Sequence, residues 1–234
     1  MAQAYLATDI GPRRELNEDV VAELGNETYV VADGMGGYAA GEVASRILVD
    51  TIKAELAIKK HIDEAVLKNA MLVANNAILQ TICDYPKYAG MGTTATIFHQ
   101  ENKQIVWAHV GDSRLYLLRE KSLHQITHDH SLVSDLVDNG SITPEEARQH
   151  PKRNVITRAV GVTEDLVVDT GVFPMLDGDI LMLSSDGLTS VVSDEDICTM
   201  LLNTPKEENV ADFLVKNAIA AGSHDNISVI VVRM

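Results

Sequence analysis

Residues 28–37 read TYVVADGMGG, and this stretch decides the expected fold. Its first half is an apolar run typical of a buried strand, which stops at Asp33 and is followed by a glycine-rich turn. A strand that ends in this way presents its last carboxylate at the edge of a sheet, because glycine lets the chain turn away at once. The stretch therefore predicts an acidic sheet edge at Asp33.

The same pairing of an apolar run with an aspartate recurs along the chain. Asp112 follows one run after a single glycine, Asp186 follows another after two serines, and Asp225 lies shortly before the last run. If these strands share one end of a core, their carboxylates converge there. The pattern predicts a cluster of acids built from distant segments.

Such a cluster requires a compensating cation, because like charges at close range raise one another's pKa. Oxygen ligands of this kind suit magnesium, manganese or calcium and not zinc. The alternative is that each aspartate is only a turn residue, since Asp and Gly are common turn formers. The recurrence at several strand ends favours the cation site.

The rest of the chain predicts strands and two pairs of helices. Apolar residues recur at about every fourth position over residues 42–60 and 63–83, which is typical of amphipathic helices. Two further helices are expected to start at Ser193 and at the capping box that begins with Thr204. Strands such as residues 105–110 are apolar on both faces and need cover on both sides. We therefore expect an α+β fold, a four-layer helix/sheet/sheet/helix sandwich of two antiparallel β-sheets flanked by helix pairs.

The middle of the chain predicts a meander and then a polar segment. Four strands are spaced as one antiparallel meander, over residues 93–99, 104–110, 114–119 and 122–126. Residues 131–155 instead carry short helix signals, namely a cap at Ser131 and a capping box from Thr143. We expect this segment to be a flap, with an ordinary surface excursion as the alternative.

Composition limits the classes of partner. The formal net charge of −15, from 19 basic and 34 acidic residues, argues against nucleic acid or an anionic membrane. With 46% hydrophobic residues and no proline-, glycine- or serine-rich linker, residues 1–234 are expected to form one domain. The chain has no apolar segment of signal-peptide or membrane-spanning character. We expect a cytoplasmic monomer.

Taken in order, the motifs resemble those of one family. They are Gly11-x-x-Arg14-x-x-Asn17-Glu18-Asp19, Ala32-Asp33-Gly34-Met35-Gly36-Gly37, Gly92-Thr93-Thr94, Val110-Gly111-Asp112-Ser113-Arg114, Asp129-His130-Ser131, Ser185-Asp186-Gly187 and Asp225-Asn226. This order resembles the protein phosphatase 2C family, and more closely its short bacterial serine/threonine phosphatases. The resemblance covers essentially the whole chain, and the joint occurrence of seven motifs makes it specific.

The resemblance implies a set of metal ligands. Asp33 would bridge two Mn²⁺ or Mg²⁺ ions, and Gly34 would give its carbonyl to one of them. Asp186 and Asp225 would hold the other ion. Asp112, together with Asp186, resembles the family's site for a weaker third ion.

The resemblance also implies a reaction and its partners. Asp19 is similar to the acid that orients metal-bound water, and Arg14 matches the arginine that grips the substrate phosphate. The implied activity is hydrolysis of phosphoserine and phosphothreonine by direct attack of a water that bridges two metal ions. The implied partners are phosphorylated proteins, among them a serine/threonine kinase that the enzyme opposes and that kinase's substrates.

One position departs from the family pattern. Bacterial relatives usually carry a histidine after the glycine pair, where this chain has Tyr38. The acid that protonates the leaving group could then be Tyr38, a metal-bound water or a flap histidine such as His150. Two other interpretations compete: a non-catalytic or narrowly specific regulatory phospho-binding module of the same fold, and a calcium-stabilised structural protein. The intact set of acids favours the enzyme.

Overall fold

Two antiparallel sheets form the centre of the protein in a computed structural model that describes residues 3–36 and 40–234. One sheet has the strand order β1-β11-β10-β7-β8, and the other has the order β2-β3-β5-β6-β9 with β4 paired to β3. The strands are β1 (Gln3–Asp9), β2 (Asp19–Gly25), β3 (Thr28–Met35), β4 (Gly92–Thr93), β5 (Ala95–Glu101), β6 (Gln104–Val110), β7 (Arg114–Arg119), β8 (Ser122–Gln125), β9 (Asp169–Pro174), β10 (Ile180–Ser184) and β11 (Ile227–Arg233).

Helices cover the outer faces of both sheets. In the described residues none of them is both long enough and apolar enough to cross a membrane. The helices are α1 (Ala40–Ala57), α2 (Glu64–Asp84), α3 (Leu132–Asp138), α4 (Pro144–Gln149), α5 (Asp186–Thr189), α6 (Asp194–Asn203) and α7 (Val210–Ala220).

Alternation of side chains along the strands creates three hydrophobic cores. In β3, Val30 and Ala32 pack beneath α1 and α2, whereas Tyr29 and Val31 face the other sheet. Successive strand residues point to opposite faces, so one strand serves two cores. On the far side α6 and α7 pack against residues of β1, β10 and β11. The predicted four-layer α+β sandwich is confirmed.

The expected helix start at Thr204 is wrong. The Thr204 hydroxyl donates to the carbonyl of Met200 at 2.8 Å, so it closes α6 instead of capping a new helix. The side chain of Asn209 accepts from the backbone of Ala211 and Asp212, and α7 begins after it. The competing i−4 hydrogen bond explains the difference.

The predicted single meander is also wrong, because the chain changes sheets between β6 and β7. β6 pairs with β5 and β9, whereas β7 pairs with β10 and β8. The crossing uses Gly111, whose φ is +113° and where a Cβ would lie 2.6 Å from Thr94. Only glycine fits this conformation and this contact. Asp112 thus lies where the two sheets meet.

Residues 131–155 contain α3 and α4. Ser131 caps α3, and Thr143 with Glu146 forms the expected capping box at α4. The two ends of the segment are joined, because Ser131 and Ile156 form a β-bridge and the Leu132 amide donates to the Val155 carbonyl at 2.8 Å. The segment is therefore a surface excursion whose first and last residues are hydrogen-bonded to each other.

Candidate active site

Asp33 lies inside β3 and not after its end. The strand continues because Gly34 and Met35 pair with Thr93 and Gly92, which lie 59 and 57 positions further along the chain and lengthen the ladder. The Asp33 amide donates to Thr94 Oγ1 at 2.9 Å, and its carbonyl accepts from the Thr94 amide at 2.8 Å. The Gly92-Thr93-Thr94 motif therefore fixes the backbone that carries Asp33, a role that the sequence did not indicate.

Gly34 occupies a position with no room for a side chain. A Cβ there would lie 2.2 Å from the Gly41 carbonyl oxygen and 2.5 Å from that of Glu18. Its amide donates to the Glu18 carbonyl at 3.1 Å. The glycine lets β3 lie against both the start of α1 and the segment before β2.

Asp19 is the cross-strand neighbour of Asp33. It is buried, and its Oδ2 accepts from the Ser185 hydroxyl at 2.8 Å. Ser185 Oγ in turn accepts from the Ser228 amide at 3.0 Å. Ser185 thus ties an acid of one sheet to β11 of the other, and it directly precedes Asp186.

Asp186 is the first residue of α5, and Asp225 lies just before β11. The two segments touch, because a Cβ at Gly187 would lie 1.9 Å from the Asn226 carbonyl oxygen. Arg14 Nη2 donates to Asp225 Oδ2 at 2.6 Å. The structure therefore brings an arginine of the β1–β2 loop to the acids.

Asn226 holds the loop that carries Arg14. Its Nδ2 donates to the carbonyls of Ile10 and Leu16, both at 2.9 Å, and its Oδ1 accepts from the Glu18 amide at 2.9 Å. The Asp225-Asn226 motif was the sequence signal for this residue, but its function in the loop depends on contacts more than 200 positions away.

The charges of these acids act on one another. Burial, followed by the charges of Asp19 and Asp186, raises the pKa of Asp33 above its usual range. Burial, followed by Asp112 and Asp225, does the same to the pKa of Asp186. Burial raises the pKa of Asp19 to about 6 and that of Asp112 to about 7. The charges of these carboxyl groups raise one another's pKa, as they do when acids lie close together, and this agrees with the predicted convergence.

The donor set fits a hard divalent cation. Three buried carboxylate oxygens have no hydrogen-bond partner in the described residues: Oδ1 of Asp19, Oδ1 of Asp112 and Oδ1 of Asp186. Leaving such oxygens unpartnered is costly unless a cation compensates them. In residues 3–36 and 40–234 no three His, Cys, Asp or Glu side chains are close enough to enclose an ion alone. Mg²⁺ and similar ions bind few protein carboxylates and complete their coordination shell with water. The unpartnered oxygens are therefore compatible with the absence of such a three-residue group in the described residues.

A cleft of about 640 Å³ adjoins the acids. Its lining includes Asp112 and Asp186 together with many residues of the segment 131–155. Arg114 lines the cleft and donates to Asp129 from Nε at 2.9 Å and from Nη2 at 2.7 Å. This bidentate pair joins the Gly111-Asp112-Ser113-Arg114 motif to the base of the segment.

The sequence offered two side chains as candidates for the proton donor, Tyr38 and His150. Tyr38 lies outside the described residues. His150 ends α4, and its Nδ1 accepts from the Lys152 amide at 3.1 Å.

Comparison with known proteins identifies the family. The model of the protein phosphatase 2C family matches residues 14–217, and the chain belongs to this family. Protein phosphatase PhpP of Streptococcus pneumoniae is 36% identical over 238 residues, which cover 98% of this chain and 96% of PhpP.

Solved structures of relatives share the fold. The serine/threonine phosphatase PstP/Ppp of Mycobacterium tuberculosis is 38% identical with a TM-score of 0.93, and the match covers 100% of this chain and 98% of that one. The catalytic domain of PstP in complex with two manganese ions is 36% identical with a TM-score of 0.91, over 99% of this chain and 97% of that one.

Proposed function

We propose that this protein is a metal-dependent phosphatase that hydrolyses phosphoserine and phosphothreonine in proteins. The observation that carries the proposal is the set of buried, unpartnered oxygens on Asp19, Asp112 and Asp186. These oxygens require a divalent cation, and the family to which the chain belongs includes a phosphatase solved with two manganese ions.

The proposed ligands of two Mn²⁺ or Mg²⁺ ions are Asp33, the Gly34 carbonyl, Asp186 and Asp225. Asp112 and Asp186 are proposed to hold a weaker third ion. Such ions, when bound, activate water for attack and offset the charge of the phosphate. The mutual elevation of the carboxyl pKa values supports these assignments, since a cation in their midst removes the repulsion.

Arg14 is proposed to bind the substrate phosphate. Its side chain is 46% exposed and uses Nη2 for Asp225, which leaves the rest of the guanidinium fork available. The hydrogen bond to Asp225, first among the causes, raises the pKa of Arg14, so it stays cationic. Asn226 fixes the position of its loop.

Asp19 is proposed to orient the attacking water. Ser185 fixes Oδ2 at 2.8 Å, and Oδ1 remains without a partner in the described part of the chain. A carboxylate oxygen held in this way can accept a proton from water. Its buried site excludes competing hydrogen bonds from bulk solvent.

We also propose that residues 1–234 act as one domain, with residues 131–155 as a flap beside the substrate. Protein phosphoserine and phosphothreonine are made by kinases, so a serine/threonine kinase and its substrates are the proposed partners. A cytoplasmic monomer would suffice, because all the proposed groups come from one chain. Light scattering of the purified protein tests the monomer.

The test is hydrolysis of p-nitrophenyl phosphate and of a phosphothreonine peptide by the purified protein. We expect turnover with manganese or magnesium, little with calcium, and none with chelator. Asp33→Asn should abolish turnover in manganese. Asp50→Asn is the matched control, because Asp50 is an exposed residue of α1, and it should leave turnover unchanged.

Two results would contradict the proposal. Turnover that persists in chelator, or in Asp33→Asn, would exclude the proposed metal chemistry. Manganese binding without turnover of either substrate would instead make the protein a phospho-binding module.

A further inference from the structure

His130 forms two hydrogen bonds with the backbone of Gly111, in the loop that carries Asp112. Its amide donates to the Gly111 carbonyl at 2.7 Å, and the Gly111 amide donates to its Nδ1 at 3.0 Å. Since an N–H can donate only to an unprotonated nitrogen, Nδ1 is an acceptor. The His130 side chain is 2% exposed, so water cannot replace this acceptor.

The other ring nitrogen fixes this tautomer. His130 Nε2 lies 3.0 Å from Asp169 Oδ2 and donates to it, and Arg158 Nη1 donates to Asp169 Oδ1 at 2.8 Å. Burial lowers the pKa of His130, which agrees with a neutral ring. The carboxylate of Asp169 therefore orients an imidazole whose opposite edge holds Gly111.

The far side of the loop is already anchored. Thr96 Oγ1 donates to the Ser113 carbonyl at 2.9 Å, and Thr94 Oγ1 lies 2.7 Å from Ser113 Oγ. In residues 3–36 and 40–234 the buried Oδ1 of Asp112 has no hydrogen-bond partner. The direction of that carboxylate hence depends on the backbone of residues 111–113.

We propose that His130 is a positioning residue for a cation at Asp112: with Asp169 behind it, the imidazole fixes Gly111 and so aims the Asp112 carboxylate. The inference rests on the proposed function, in which Asp112 holds the weaker ion. His130 also precedes Ser131, the cap of α3, so the same residue links the flap base to the ion site.

The test compares two substitutions, each of which can replace the hydrogen bond of only one of the two imidazole nitrogens. In His130→Asn the amide oxygen can replace Nδ1 as the acceptor for Gly111, whereas in His130→Gln the amide can replace only Nε2. Both remove the tilted ring contact with His109, whose ring centroid lies 4.8 Å away. Manganese binding is measured by calorimetry on the whole protein without substrate, with Asp112→Ala as the reference for loss of the weak site.

We expect His130→Asn to bind the weak ion within about threefold of the parent, and His130→Gln to bind it about tenfold more weakly, as other groups behind metal ligands do. Thermal unfolding should show the two variants equally folded. Equal weak-site affinity in Asn and Gln variants would overturn the proposal, whether both matched the parent or both were weakened.

Asp112→Ala separates this failure from failure of the proposed function. If that variant keeps the weak ion, the ion is not at Asp112 and the inference is wrong, while manganese-dependent hydrolysis would still support the phosphatase. If it loses the weak ion but both His130 variants keep it, only the inference is wrong.

Discussion

Arg14 and Asp225, 211 positions apart, are joined by a hydrogen bond of 2.6 Å between Nη2 and Oδ2. The other oxygen of Asp225 accepts from the Asn226 amide at 2.8 Å. A proposed metal ligand and a proposed phosphate-binding residue therefore neutralise one another. Cation binding at Asp225 has to share that carboxylate with Arg14.

This contact predicts opposite effects of Arg14→Ala on metal and on substrate. Removal of the guanidinium frees Asp225 and should leave manganese affinity equal or higher. Turnover of a phosphothreonine peptide should fall by about a hundredfold in kcat/KM, because a charged donor to the phosphate is lost. Calorimetry with manganese and steady-state kinetics measure the two effects. Arg13→Ala, at the neighbouring exposed arginine, is the control, and lower manganese affinity in Arg14→Ala would contradict the argument.

The acids predict how stability depends on pH in chelator. Burial raises the pKa of Asp19 to about 6 and of Asp112 to about 7, so each binds its proton more tightly in the folded protein than in the unfolded chain. That contribution to stability is present at low pH and is lost as pH rises through the folded pKa. With chelator, these two acids should therefore lower the melting temperature as the pH rises from about 4, the ordinary pKa of an aspartate, to about 7.

Manganese should remove this dependence, because a bound cation favours the ionised acids. His109 acts in the opposite direction: burial lowers its pKa from 6.5 to about 4, so its contribution is complete above pH 6.5. Above pH 6.5, the difference in melting temperature between samples with manganese and samples with chelator therefore reports the contribution of the acids alone. A difference that shrinks as pH rises would refute the prediction.

Gly34→Ala should disrupt the edge of β3. The new Cβ would meet backbone oxygens of Gly41 and Glu18 at 2.2 and 2.5 Å, and backbone cannot rotate away as a side chain can. We expect a loss of about 1–3 kcal/mol in the free energy of unfolding, measured in urea. Gly178→Ala is the comparison for backbone strain without a steric contact, because φ is +92° there, which disfavours alanine, but no atom lies within 4 Å of the new Cβ. A smaller loss at Gly34 than at Gly178 would contradict the steric argument.

The sequence predicted what local patterns determine. The continuous apolar run of residues 29–32 indicated a buried strand, and Val30 and Val31 do face different cores. Four of the site acids were found because each lies beside an apolar run, namely Asp33, Asp112, Asp186 and Asp225, whereas Asp19 was identified only by the family resemblance. Long-range pairing was not predictable: the ladder to residues 92–93 places Asp33 inside its strand, and residues 111–113 look like a hairpin turn although they cross between sheets.

The partners of motif residues were equally hidden. Asn226 and His130 stand in motifs, but their hydrogen bonds reach residues distant in the chain, which no periodicity encodes. A motif indicates that a side chain belongs to the site. Only the structure shows which atoms that side chain contacts.

Asn226→Asp should loosen the loop that carries Arg14. The substitution keeps the shape of the side chain but turns Nδ2, a donor to the carbonyls of Ile10 and Leu16, into a carboxylate oxygen facing both. Two acceptors then lose their donor and face negative charge, so we expect a loss of about 2–4 kcal/mol in the free energy of unfolding. Peptide kcat/KM should fall as well, because Arg14 is no longer held beside Asp225.

Asn17→Asp is the matched control in the same loop. Asn17 Nδ2 donates to the Thr8 hydroxyl at 2.8 Å, and a hydroxyl can reverse its role and donate to a carboxylate. Its Oδ1 accepts from the Asp19 amide, which a carboxylate oxygen also does. Stability should therefore change by less than about 0.5 kcal/mol in urea denaturation. Equal losses in both variants would mean that added charge, and not the broken bonds of Asn226, destabilises the loop.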